Sequence, residues 1–103
     1  MNKNPVNNIL DLSTDAFTIN PRYRLQWEEA QQCHVLLYPE GLVKLSDTAN
    51  EILSRCKQPI TAVQLISSLQ QTYPDAPTLA DDVNEFLDHA REQEWIKRSE
   101  AAK

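Results

Sequence analysis

A chain of 103 residues with 41% hydrophobic and 24% charged side chains has the composition of one globular domain with a modest core. No apolar run approaches the roughly 18 residues of a membrane span, and Met1-Asn-Lys-Asn-Pro-Val-Asn-Asn lacks the residue succession of a secretory signal, so the expected setting is cytoplasmic. The net charge of −5 sits mostly in the second part: residues 1–60 carry six Lys/Arg against seven Asp/Glu, and residues 61–103 four against eight, which weighs against a polyanionic partner.

Residues 1–20 hold five asparagines and scattered apolar side chains, and are expected to form a flexible arm; alternatively, Ile9, Leu10, Leu12 and Phe17 dock on another surface such as a second subunit. After Pro21, Tyr23, Leu25 and Trp27 alternate with Arg24, Gln26 and Glu28, the period of a half-buried strand. A second strand runs from Cys33 to Tyr38. Tyr38-Pro39-Glu40-Gly41 then forms a tight turn, with Pro where φ near −65° is wanted and the chain's only glycine free to restart the ladder as a bulge. A third strand covers Leu42 to Leu45.

Ser46 supplies a helix cap, and Ala49, Ile52, Leu53 and Cys56 follow at the spacing of one apolar stripe. Pro59 closes that segment. Thr61 with Gln64 makes a capping box, Ile60 with Leu65 a hydrophobic staple, and the second helix presents Ala62, Leu65, Ile66, Leu69 and Tyr73. Beyond Pro74 and Pro77, Thr78 starts a third helix whose apolar face is Leu79, Val83, Phe86, Leu87 and Ala90; Trp95-Ile96 is an apolar anchor or a short strand. The expected fold is α+β, winged helix-turn-helix-like: a three-stranded antiparallel β-meander followed by three α-helices, with an arm over 1–20, a domain over 21–97 and a charged tail over 98–103.

Few residues suggest chemistry. Cys33, Cys56, His34 and His89 show no paired metal-ligand spacing, so no metal is expected; the cysteines read as small core residues, and nothing local supports a Cys33–His89 nucleophile pair. One glycine cannot build a phosphate-cradling loop, so no nucleotide cofactor is expected. The carboxylates of Asp81, Asp82, Glu85, Asp88, Glu92 and Glu94 read as a solvated helix face, and an enzyme acting alone is the least supported class. Residues 77–95 carry those six acids against Arg91 alone, a net of −5 that a duplex would repel, so no nucleic acid is expected either. A binding module remains. If residues 42–45 lie at the sheet edge, their unpaired N–H and C=O groups can accept an extended peptide as an added strand, with the third helix walling the groove; the alternative is an edge covered by the arm or by a second subunit.

Three strings carry a family resemblance: Arg24-Leu-Gln-Trp-Glu-Glu-Ala-Gln31, Val35-Leu-Leu-Tyr-Pro-Glu-Gly41, and Ala49 with Glu51-Ile-Leu53 and Cys56. Across residues 21–96 the chain resembles the PqqD family of pyrroloquinoline quinone (PQQ) biosynthesis. It departs at Lys57-Gln58, where the family often has Asp-Gly, and at Glu94-Trp95, where it often has Gly-Trp. The resemblance implies a non-catalytic peptide chaperone, a recognition element for ribosomal peptides, that binds the precursor PqqA by strand addition. It further implies presentation of PqqA to PqqE, a radical S-adenosylmethionine (SAM) enzyme that cross-links a Glu and a Tyr of the peptide. Carried onto this chain, the peptide-binding residues are Leu42, Val43, Lys44 and Leu45 on the third strand, and Val83, Phe86, Leu87, Ala90 and Arg91 on the third helix. Arg24 and the Tyr38–Gly41 turn are read as structural or as facing the enzyme, Trp27 as structural, and a homodimer is the remaining partner expectation.

Overall fold

Two helices begin at residues whose side chains satisfy the free N–H groups of a first turn. In the computed structural model, which describes residues 9–99, Ser46 Oγ accepts from the Ala49 N–H at 3.1 Å and opens α1 (Asp47–Ser54). Thr61 and Gln64 cap each other reciprocally, at 3.2 and 3.0 Å, ahead of α2 (Ala62–Thr72). The start of α3 (Leu79–Glu92) differs: the Thr78 hydroxyl donates to Asp82 Oδ2 at 2.9 Å and makes no cap. There the negative charge of Asp81 and Asp82 complements the helix N-terminus.

The meander is β2 (Arg24–Glu28), β3 (Cys33–Tyr38) and β4 (Gly41–Lys44), antiparallel, in the order β2-β3-β4. Its register puts Leu25, Leu36 and Val43 side by side on one face, with Trp27 beside His34. That face meets the core, where Leu36 is fully buried among Ile52 and Leu53 of α1, Leu65 and Leu69 of α2, and Val83, Leu87 and Ala90 of α3. The hairpin differs from the expected bulge. Pro39 and Glu40 form a two-residue connection and the ladder runs unbroken to Tyr38↔Gly41. Gly41 there takes φ +158°, a backbone that L side chains rarely adopt, although a Cβ would meet only the Tyr38 side chain at 3.7 Å.

The expected arm is corrected over its described part. Residues 17–19 form β1 (Phe17–Ile19), which pairs antiparallel with β5 (Ile96–Arg98) as a second sheet. Phe17 is 0% exposed, exchanges backbone hydrogen bonds with Ile60 at 2.9 and 3.1 Å, and lies in the core with Leu10. Asn20 is buried as a clasp: its Nδ2 donates to the Glu94 carbonyl at 2.8 Å, its Oδ1 accepts from the Arg22 N–H at 3.0 Å, and its own N–H bonds Trp95. The folded unit therefore reaches from Leu10 through Arg98, beyond both expected domain limits, because the third core wall needs Phe17 and Ile96 together. Residues 1–8 of the expected arm and 100–103 of the expected tail lie outside the described residues. Glu94, whose carbonyl the clasp holds, takes φ +64° just past α3, the left-handed position that glycine favours.

Smaller differences follow from helix length. Helix α1 ends at Ser54, so Cys56 lies in the turn beyond it yet stays fully buried; Tyr73 caps α2 and is exposed instead of joining its apolar stripe. Burial pushes the Cys56 thiol up to about 12, whereas Cys33 is half-buried at the start of β3. A thiol reagent at pH 8 is therefore expected to label one cysteine of the native chain within minutes and both after unfolding; rapid labelling of both in the native state would contradict this packing. Among the described residues no helix is long and apolar enough to cross a membrane.

Candidate functional site

An edge strand is defined by where its backbone groups point. The Leu45 N–H donates to the His34 carbonyl at 3.0 Å, which makes His34–Leu45 a hydrogen-bonded pair. Since such pairs alternate in an antiparallel ladder, Leu36–Val43 and Tyr38–Gly41 are bonded too, while Val35–Lys44 and Leu37–Leu42 are not. Strand β4 ends the sheet, so the N–H and C=O groups of Leu42 and Lys44 face outward, and no partner strand covers them among the described residues. An extended chain laid there finds two donors and two acceptors one residue apart.

The expected site residues divide on burial. On β4, Leu42 is 37% exposed, Lys44 is exposed and Val43 is half-buried against the core, but Leu45 is buried. On α3, Val83, Leu87 and Ala90 are buried on the stripe at i, i+4, i+7 that the core uses. Phe86 is half-buried with its ring centroid 6.2 Å from that of Trp95. Arg91 pairs with Asp88 at 3.1 Å and donates to the Leu10 carbonyl at 3.4 Å, so it anchors the N-terminal segment. Leu42, Val43 and Lys44 on β4 and Phe86 on α3 are the expected site residues that keep accessible surface without an anchoring role.

The larger concavity was not foreseen. A cleft of about 590 Å³ lies where the Trp27–His34 end of the sheet meets the helices, lined by Asp47, Thr48, Asn50, Glu51 and Ile52 of α1, Leu69 and Tyr73 of α2 and its cap, and Leu79, Asp82 and Val83 of α3. Trp27 is 48% exposed, its ring meets His34 edge-on at 5.3 Å, and its Nε1–H donates to Glu29 at 3.0 Å; the structure thus sets it on the cleft wall and not in the core. That bond, followed by one from Gln32, holds the Glu29 carboxyl below the usual range. Across the cleft Arg55, 2.7 Å from Glu51, holds that carboxyl low. The signal in the sequence was the last apolar residue of an alternating strand, which can outrun the helices that cover its neighbours. A shallower groove of about 350 Å³ runs beside Arg22, Arg24 and the stacked Tyr23 and Tyr38, whose ring centroids are 5.3 Å apart.

Among the described residues no three His, Cys, Asp or Glu side chains could hold a metal ion. His89 packs edge-on to Trp95 at 5.1 Å, whereas Cys33 sits opposite Glu28 in the meander.

Comparison with known proteins identifies the family. Residues 33–96 match the family model for coenzyme PQQ synthesis protein D (PqqD). A "PqqA binding protein" of Azotobacter vinelandii is 45% identical over 75 residues, covering 73% of this chain and 82% of that protein. One from Kluyvera intermedia is 49% identical over 77 residues, with the same coverages of 73% and 82%. The solution structure of the PqqD truncation of Methylobacterium extorquens PqqCD, described as a functional stand-alone recognition element for ribosomally synthesized and modified peptides, superposes with a TM-score of 0.66 at 28% identity. That superposition covers 82% of this chain and 92% of the other. An α+β chain with an open meander edge, three helices and these relatives belongs to the PqqD family.

Proposed function

We propose that this chain is a peptide chaperone of PQQ biosynthesis that binds the precursor PqqA as an added strand on β4 and presents it to the radical SAM enzyme PqqE. The observation that carries the reading is the outward-facing pair of backbone groups at Leu42 and Lys44, on an edge that β1 leaves open by pairing with β5. Relatives named for PqqA binding support the choice of peptide. Leu42, Val43 and Lys44 are the contacts on the strand, with Phe86 at the rim, in an arrangement read as winged-helix-like. Each added backbone hydrogen bond contributes about 0.5–1.5 kcal/mol net, so four bonds and modest apolar contact suit a transient carrier. Catalysis is left to the enzyme. Titrating isotope-labelled protein with PqqA is expected to move the amide signals of residues 41–45 most; shifts elsewhere with none in β4 would sink the reading.

A homodimer is the second reading, since an open edge also fits a second copy of itself. Sedimentation with and without PqqA separates the two: a dimer that PqqA dissociates shares the β4 edge, and a dimer indifferent to PqqA uses another surface.

A further inference from the structure

We infer that the cleft beside Trp27 is a second docking site, built to take a lysine or arginine side chain from a partner protein while PqqA occupies β4. Its floor is apolar, with Ile52, Leu69 and Val83, and suits the aliphatic stem of a long basic side chain. Its polar rim offers acceptors: Asp47, Glu51 and Asp82 line it, and His34 is the one lining residue able to carry a positive charge.

Not all of that negative charge is free. Glu51 is paired with Arg55, and Asp82 accepts from the neutral Thr78 hydroxyl. Asp47 and Asp82, on α1 and α3, therefore have no cationic side chain paired with them, each facing only the positive end of its own helix. A further acceptor lies behind the lining. Asn50 lines the cleft, and its Oδ1 is buried with no hydrogen-bond partner, the one such side-chain atom found among the described residues. A buried carbonyl left without a donor is unfavourable; a rotation of the Asn50 side chain toward the cleft would let an ammonium or guanidinium held there donate to it. The half-exposed face of Trp27 adds a surface on which a cation rests favourably.

The same geometry separates this site from the peptide edge. No β4 residue lines the cleft, and β2, which carries Trp27, lies three strand spacings from a chain added to β4, roughly 14 Å. An extended peptide on β4 leaves the cleft open. The side-chain chemistry stands on the cleft alone, whereas the choice of PqqE as the protein to try rests on the presentation reading.

Two measurements test the inference. The first follows the Trp27 indole and Asn50 amide signals during titration with acetyl-lysine methylamide at millimolar concentration, against its norleucine counterpart. The lysine compound is expected to shift both signals, the norleucine compound neither, and Asp47→Asn/Asp82→Asn to abolish the response. Equal shifts from both compounds, or none from either, overturn the site. The second compares PqqE binding by wild type, by that double variant and by Asn50→Leu, with PqqA binding measured alongside. PqqE affinity is expected to fall about tenfold in the double variant and several-fold in Asn50→Leu, although the latter melts higher than wild type because its unmet acceptor is gone. PqqA affinity stays within twofold. Unchanged PqqE binding in a folded double variant refutes the partner, as does a wild type that binds no PqqE; a loss of PqqA affinity instead would make the cleft part of the peptide site. Failure of PqqA to shift β4 sinks the strand-addition reading alone and leaves the lysine result standing.

Discussion

Phe17→Ala is expected to destabilise the domain by about 3–5 kcal/mol, the range for truncating a fully buried phenylalanine. Phe17 is 0% exposed, packs in the same core as Leu36, Leu53, Leu87 and Ile96, and belongs to a strand held on both sides, by β5 and by Ile60. The cavity would open where two sheets and the helices meet, which leaves little room for collapse. Against a total of about 5–15 kcal/mol for a domain of this size, that is about a fifth of the stability or more, and the melting temperature should drop by ~12 °C or more. Far-UV circular dichroism on heating gives the answer, with Ile9→Ala as the control, since Ile9 is largely exposed and its truncation should change stability by less than about 0.5 kcal/mol. A change under about 1 kcal/mol in Phe17→Ala would mean that β1 is a detachable arm after all.

That result bears on why the N-terminal segment was hard to read. Ser46, Thr61 and Gln64 act within four residues of themselves, so their caps are legible from the sequence and appear where expected. Alternation through Tyr23, Leu25 and Trp27 likewise marks a strand and its inner face. A three-residue strand such as Phe17–Ile19 holds too little period to register, and its partner Ile96–Arg98 lies more than 70 positions away, with two charged residues in three. What holds the pair together is tertiary: the Asn20 clasp on Glu94, the Arg91 contact with Leu10, and Arg98 Nε facing Asp15 at 3.4 Å.

The site was legible to a different degree on each wall. Strand β4 could be placed at an edge from the order of a meander, and its turn from Pro39 and Gly41. Helix α3 could not be apportioned, because one helical period serves both a core stripe and a groove wall; Val83, Leu87 and Ala90 went to the core and left Phe86 at the margin. The cleft was invisible for a stronger reason. Its lining comes from the end of one hairpin and from all three helices, and no local pattern reports that Asn50 and Asp82 share a space.

Lys44→Pro is expected to abolish PqqA binding while leaving the domain folded, and the contrast with its neighbour makes it decisive. Lys44 sits in a non-bonded pair with Val35, so its N–H points away from β3 and the sheet does not use it. Proline is tolerated at such an edge position, and Val43 before it is already extended, as the residue preceding a proline must be. The ring removes one donor from the added strand's ladder and occupies the space where that strand would lie, so the affinity should fall at least tenfold, about 1.4 kcal/mol. Val43→Pro differs: Val43 bonds Leu36 in the central strand, and losing that N–H leaves a ladder carbonyl unmet at about 1–3 kcal/mol, with ring strain in a half-buried position besides. Lys44→Ala keeps the N–H and removes the charge, which separates backbone from side chain. Strand addition predicts near-normal PqqA binding in Lys44→Ala, none in Lys44→Pro and a loss of stability in Val43→Pro. If Lys44→Pro is folded and binds PqqA as tightly as wild type, the peptide does not lie on β4, because no added strand can keep its register past a proline at its midpoint.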